Sequence, residues 1–338
     1  MEILTLNPND LVRMFLFAVV SFVIAFVWTP ILTNFLYKNN IGKKIRDAKD
    51  APIMAALHAK KAGTPTMGGL LIWVTAAVLT VFFNLTRSAT WLPLFALVMT
   101  AIVGAVDDLW NVWGRGEKGG GLSFRQKIPF YFAIAALGAW WFYSKLEWNS
   151  IHIPAMGDYI IGWWYIPLFI AVLVWIAFAA NISDGLDGLA GGIFTFSYGA
   201  YAIIALVEGK PELAIFCATI MGALLAFLWF NIAPARFFMG DTGSMSLGLT
   251  LGVIAFLTNS VVVLPIITLV FTIEGVTLII QLLSKKLRKG KKIFLSSPLH
   301  HHLEAIGWPE TKIVMRFWVI GAVSAVAGLA LAIIGRGL

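Results

Sequence analysis

AVLVWIAFAANISDGLDGLAGGIFTFSYGAYAIIALV, residues 171–207, is the stretch on which the fold turns. Its two halves are nearly free of charge and show no polar stripe, which a surface helix of a soluble domain would have. The apolar runs extend over 162–181 and 188–207. Each is about the 20 residues a helix needs to cross the hydrocarbon core of a bilayer. Between them lies one short polar turn with two acids, Asp184 and Asp187, and several glycines. The stretch therefore reads as two membrane helices joined by a turn that carries chemistry.

The same pattern continues in both directions. Further apolar segments fall at 12–36, 67–86, 91–107, 128–145, 212–231, 244–258, 261–284 and 313–335, with Thr258, Asn259 and Ser260 the reason for dividing the eighth from the ninth. Of 338 residues, 59% are hydrophobic and 12% charged, the composition of a polytopic membrane protein. The expectation is an all-α integral membrane protein of about ten transmembrane helices. It forms a single domain over 1–338, because no linker, low-complexity segment or internal repeat divides it. The first segment is too long for a signal core and no small-residue cleavage site follows, so it reads as an uncleaved helix. Cys217 is the one cysteine and lies in an apolar run, which excludes an internal disulfide and a thiolate metal site.

Charge sets the orientation. The net charge of +8 sits between the apolar runs, a distribution for a membrane surface and not for nucleic acid. Loops 37–66, 108–127, 182–187, 232–243 and 285–316 hold 20 of the 25 Lys and Arg residues. By the positive-inside rule these loops are cytoplasmic and both termini are extracytoplasmic. The same face receives Asp107 and Asp108, Asp184 and Asp187, Asp241, and the histidine run His300, His301 and His302.

Clustered carboxylates without thiolates suit a hard cation, Mg²⁺ or Mn²⁺, shared with substrate phosphates. Asp107 and Asp108 are neighbours about 100° apart on a helix, so they need not share a task. Asp184 and Asp187 would lie on one face if the turn were helical. Asp241 sits in a glycine-flanked turn before an apolar run. Lys61, after Lys60, and Lys127 each stand near a glycine-rich turn, where an ammonium can meet phosphate; the basic run at 285–292 reads as contact with anionic lipid. Three consecutive histidines diverge, which disfavours a zinc site and favours donation to phosphate. Carboxylates, lysines and a mouth beside lipid point to phosphoryl transfer on a membrane-bound substrate.

The motifs KAGTPTMGG (61–69), VDDLW (106–110), NISDGLDGLAGG (181–192), FNIAPARFFMGDTGS (230–244) and SPLHHHLEAIGWPETKIVMRFW (297–318) together resemble the phospho-N-acetylmuramoyl-pentapeptide transferase family, the MraY translocases, within the polyprenyl-phosphate N-acetylhexosamine-1-phosphate transferases. The resemblance runs over nearly the whole chain in the family's order. It implies a multi-pass enzyme of the bacterial cytoplasmic (inner) membrane, usually a homodimer, with its active site in a cytoplasmic-facing cleft. The implied reaction moves phospho-MurNAc-pentapeptide from UDP-MurNAc-pentapeptide to undecaprenyl phosphate, yielding lipid I and UMP for peptidoglycan, with Mg²⁺ as cofactor. By motif position, Asp241 holds the metal and Asp107 orients or deprotonates the lipid phosphate. Asp108, Lys127 and His300 act on the phosphates. Lys61, Thr66, Asn181, Asp184, Gly185, Leu186, Asp187, Asn231 and Phe238 line the uridine and diphosphate region. Gln281 lines the nucleoside-sugar cleft, and His301 and His302 complete the substrate contacts.

Two positions depart from the family pattern, and a third takes the aromatic of two alternatives. Phe178 stands where an additional Asn is common, Asn111 where a Lys is common, and Tyr131 where an aromatic residue or Gln follows Lys127. The route stays open between direct displacement and a covalent intermediate on Asp107 or Asp241. The nearest rival is a polyprenyl-phosphate GlcNAc-1-phosphate transferase, which shares the aspartate motifs but departs at the histidine run. A cation-coupled transporter is more remote, because transport sites sit near the bilayer midplane whereas these acids lie at span ends.

Overall fold

The structure, a computed structural model, describes residues 7–42, 61, 63–115 and 121–335. Lys60, most of the basic loop before it and the first glycines of the GGGLS stretch lie outside the described residues. The helices are α1 (Pro8–Lys38), α2 (Leu70–Phe83), α3 (Trp91–Val112), α4 (Phe124–Lys145), α5 (Tyr165–Ser183), α6 (Leu189–Val207), α7 (Pro211–Asn231), α8 (Asp241–Leu257), α9 (Leu264–Ile267), α10 (Leu269–Leu287), α11 (Leu299–Ala305) and α12 (Glu310–Ile334).

Every apolar segment of the sequence carries a helix, but not all of them are long. Among the described residues, six helices are long and apolar enough to cross a membrane, or seven if the bent pair Val261–Ile267 and Leu269–Leu287 is one span. That pair turns through 84° at Thr268. α2 and α8 have 14 and 17 residues, short of the roughly 20 that a straight span requires. The chain is a multi-pass membrane protein, with exposed apolar side chains such as Val12, Phe15, Val27 and Ile31 along the outer face of α1.

The all-α expectation needs one correction. Between α4 and α5, β1 (Ser150–Ile153) pairs antiparallel with β2 (Gly157–Ile160), with Ser150 opposite Ile160 and Ile153 opposite Gly157. Ala155 in the connecting turn and Gly157 at the start of β2 take positive φ, which closes the hairpin. Its anchors are the His152 amide, donating to Asn259 Oδ1 at 3.1 Å, and the Ala155 amide, donating to the Gly335 carbonyl at 3.2 Å.

α8 is the axis of the fold. All its residues are buried, enclosed chiefly by α3 and α5. Small residues allow that closeness, because without hydration-driven association membrane helices are held by close backbone packing. A Cβ on Gly104 of α3 would fall 2.5 Å from the Asp241 carbonyl oxygen, so α3 reaches the start of α8 only through glycine. Around this axis α7 packs on α1 and α6, and α12 on α6. Some buried hydroxyls are satisfied across helices, as where Tyr198 donates to the Leu247 carbonyl at 2.8 Å.

Candidate active site

The ends of α3, α4, α5 and α8 meet at a buried ionic centre. Lys127 on the first turn of α4 bonds the Asp107 carboxylate at 2.7 Å and also bonds Asp241. Asn181, near the end of α5, donates to Asp241 Oδ1 and to Ser244 Oγ, both at 2.9 Å. The Leu122 amide donates to Asp107 Oδ1 at 2.5 Å. Asp107 and Asp241 are 4% and 6% exposed. Two carboxylates this buried stay ionised only beside a cation, and here one ammonium serves both. Their oxygen donors are of the kind hard divalent cations take; among the described residues no cluster of three or more His, Cys, Asp and Glu forms a metal cage.

Asp241 is the first residue of α8 instead of part of the turn before it. There its charge complements the helix dipole. The turn ends one residue earlier, at Gly240 with φ +75°, where a Cβ would meet Asp108 Oδ2 at 2.5 Å. Asp108 points away from its neighbour Asp107, as residues about 100° apart do. Its Oδ2 accepts from the Thr242 amide at 3.0 Å and its Oδ1 from the Thr66 hydroxyl at 3.5 Å. It caps α8 from outside that helix, satisfying an amide that has no intrahelical partner.

A second ionic group lies at the start of α12. Lys61 bonds Asp187 Oδ1 at 2.7 Å and Glu310 Oε1 at 2.6 Å. Burial opposes the Lys61 charge, but the hydrogen bonds and charges of Asp187 and Glu310 outweigh it and raise its pKa above the ordinary lysine value. Asp187 also accepts from the Ala235 amide at 3.0 Å, and its own amide donates to Glu310 at 2.7 Å. Asn231 accepts from the Gly188 amide and donates to the Phe237 carbonyl, both at 2.9 Å. Phe238 and Thr66 belong to loops zipped together by the Phe238 amide to Pro65 and the Gly68 amide to Phe238, each 2.8 Å.

The histidines separate. His300 is fully buried; its Nδ1 lies 2.9 Å from Glu274 Oε2, and its amide donates to Glu274 Oε1 at 3.1 Å. Its Nε2 is buried without a hydrogen-bond partner among the described residues and faces Gly185, where a Cβ would come within 2.4 Å of it. His301 pairs with Glu304 at 2.9 Å, and His302 Nδ1 accepts from the Leu295 amide at 3.3 Å.

The turn 181–188 joins all three groups. Asn181 reaches the ionic centre, Gly185 faces His300, and Asp187 holds Lys61 and Glu310. Asp184 and Asp187 do not share a helical face: Asp184 ends α5 with ψ 48°, and Asp187 belongs to the turn beyond it. Leu186 between them is buried. Gln281 stands apart, its amide donating to the Phe294 carbonyl at 2.8 Å and accepting from the Ile293 and Phe294 amides at 3.0 and 3.1 Å. It braces the segment leading to His300. Glu310 and the pairing of Glu274 with His300 escaped the sequence reading; a carboxylate within a hydrophobic span and another on the motif GWPETK were the available signals.

The Glycosyl transferase family 4 profile matches residues 90–259, and the Phospho-N-acetylmuramoyl-pentapeptide-transferase signature 1 matches residues 61–72. A phospho-N-acetylmuramoyl-pentapeptide-transferase of Chloroflexus aggregans is 39% identical over 339 residues, covering 96% of this chain and 91% of the relative. Relatives of the same name from Geobacillus thermodenitrificans and Levilactobacillus brevis are each 38% identical, covering 92% and 91% of this chain and 95% of each relative.

Proposed function

The chain belongs to the phospho-N-acetylmuramoyl-pentapeptide-transferase family, and from that premise we propose how its buried centre performs the family's transfer. It is a glycosyl-1-phosphate transferase of peptidoglycan synthesis, moving phospho-MurNAc-pentapeptide from UDP-MurNAc-pentapeptide to undecaprenyl phosphate. The observation that carries the placement of the chemistry is Lys127 bridging Asp107 and Asp241 beside Asn181.

An oxygen of the lipid phosphate attacks the β-phosphorus, a new P–O bond forms, the bond between the two phosphates breaks, and UMP leaves. With a second pKa near 6 the lipid phosphate is mostly dianionic at neutral pH, so no strong base is required. Asp107, already engaged by Lys127 and the Leu122 amide, orients the acceptor instead of forming a covalent intermediate. Lys127 neutralises charge on the transferring phosphate, and His300, held by Glu274, presents Nε2 to the diphosphate beside Gly185. The oxygen donors fit Mg²⁺, with Mn²⁺ as a substitute, on Asp241; when bound, the ion neutralises the diphosphate and makes UMP a better leaving group. Positioning and charge neutralisation supply most of the rate.

In this reading the ten apolar segments all belong to the membrane part, both termini are extracytoplasmic, and the site opens to the cytoplasm at the bacterial inner membrane. The basic loops support that orientation. The chain acts as one domain and as a homodimer. Purified protein given undecaprenyl phosphate together with UDP-MurNAc-pentapeptide or UDP-GlcNAc, with and without Mg²⁺, tests the assignment. UMP release from the muramoyl substrate only, and only with the metal, is expected. Release from UDP-GlcNAc alone would overturn the substrate, and a phospho-sugar bound covalently to the protein without lipid acceptor would overturn the direct route.

A further inference from the structure

Tyr131 lies one turn beyond Lys127 on α4, so both project from the same helix face. Phe178 lies three residues before Asn181 on α5 and shares that residue's face in the same way. Lys127 and Asn181 both bond Asp241, and directly behind them the rings of Tyr131 and Phe178 meet edge to face at 5.7 Å. The two aromatic side chains thus form the floor of the ionic centre. Phe178 closes that floor with carbon alone, at a position where the family resemblance implies an amide. Tyr131 is fully buried, yet its hydroxyl has no hydrogen-bond partner among the described residues.

A buried hydroxyl without a partner is costly, and native folds leave few of them unless a ligand or water completes the bond. Here the open valence belongs to the helix face that carries Lys127, the residue that bonds both Asp107 and Asp241. We propose that the Tyr131 hydroxyl is a further substrate-binding group, donating a hydrogen bond to an anionic oxygen of the diphosphate and supplying the polar contact that Phe178 cannot. The proposal rests on the reading of this centre as the phosphoryl-transfer site.

The test compares full-length wild type with Tyr131→Phe, which removes one oxygen and keeps the ring contact with Phe178. Three quantities are measured: calorimetric affinity for UDP in the presence of Mn²⁺, kcat/KM for UMP release from UDP-MurNAc-pentapeptide, and Tm of the ligand-free protein. The variant is expected to bind UDP about ten-fold more weakly, as for a hydrogen bond to a charged group, with kcat/KM falling at least as far. Its ligand-free Tm should be unchanged or higher, because an unsatisfied hydroxyl has gone. Unaltered UDP affinity would overturn the proposal, and so would a lowered Tm, which would make the hydroxyl a structural group. If wild type released no UMP from either sugar nucleotide, the proposed reaction would fall, while the UDP comparison would still decide the role of Tyr131.

Discussion

Glu274 and His300 form a buried pair that joins α10 to the histidine run, with Oε2 2.9 Å from Nδ1 and neither side chain exposed. Glu274 also accepts the His300 amide, so one carboxylate fixes both the ring and the start of α11. Its orientation leaves Nε2 facing Gly185. Replacing Glu274 with Ala strands these donors, and such a loss costs about 1–3 kcal/mol. A lowered Tm and reduced kcat/KM are expected for Glu274→Ala. Adding His300→Ala should then change kcat/KM little, because residues in one network are not additive. Fully additive losses would separate the two residues.

Gly185→Ala should act through His300. The new methyl would come within 2.4 Å of Nε2, and a fully buried ring has little room to retreat. Overpacking of this kind costs typically about 1–3 kcal/mol. The expected result is a loss of turnover larger than the loss in Tm would account for, with His300→Ala in the same chain relieving the Tm loss. Wild-type turnover in Gly185→Ala would show that the position of Nε2 does not matter.

Lys127→Met leaves Asp107 and Asp241 facing each other without their shared cation. Breaking a buried ion pair from one side costs about 3–5 kcal/mol. The variant should therefore melt well below wild type in chelator and regain part of that difference as Mg²⁺ is added, since a ligand of the folded state stabilises it by mass action. Thermal melts across a Mg²⁺ titration check this. Equal Mg²⁺ dependence in variant and wild type would mean that the carboxylates do not share a cation.

The turn at 181–188 was legible because its polar residues interrupt long apolar runs, and the acids at 107, 108 and 241 stood out against spans almost free of charge. Alternation of the loops led to the expectation that they share one side, and the structure brings Asp107 and Asp241 to one lysine. What escaped the sequence were pairings made by tertiary packing. Lys61 meets Glu310 across 249 residues of chain, and no local periodicity announces such a contact. Glu274 was conspicuous as an acid within a span, but its partner became visible only once the bend at Thr268 and the short helix α11 placed His300 against it. Asp108 was expected to diverge from Asp107, but nothing in the sequence announced that its carboxylate would accept the Thr242 amide at the start of α8. Gln281 likewise read as a cleft residue, and the backbone of 293–294 takes up its amide. The hairpin 150–160 was missed because four-residue strands are too short for alternation to register.

Asp241→Asn separates the proposed metal role of this residue from its place in the scaffold. The amide keeps the shape of the carboxylate and its place at the start of α8, while the charge that complements the helix dipole is lost, worth about 0.3–1 kcal/mol. Stability should therefore change little. Lys127 keeps Asp107 at 2.7 Å, so the ionic centre should stay closed. Catalysis should fall by about two to three orders of magnitude, the scale seen when one preorganised electrostatic contact at a reacting group is removed. Higher Mg²⁺ should not restore it, because the lost oxygen charge is the proposed anchor. The check is UMP release against Mg²⁺ concentration, paired with a melt of the same sample. An Asp241→Asn protein that turned over with wild-type Mg²⁺ dependence would move the metal to Asp107 and make Asp241 the partner that holds Lys127 in place.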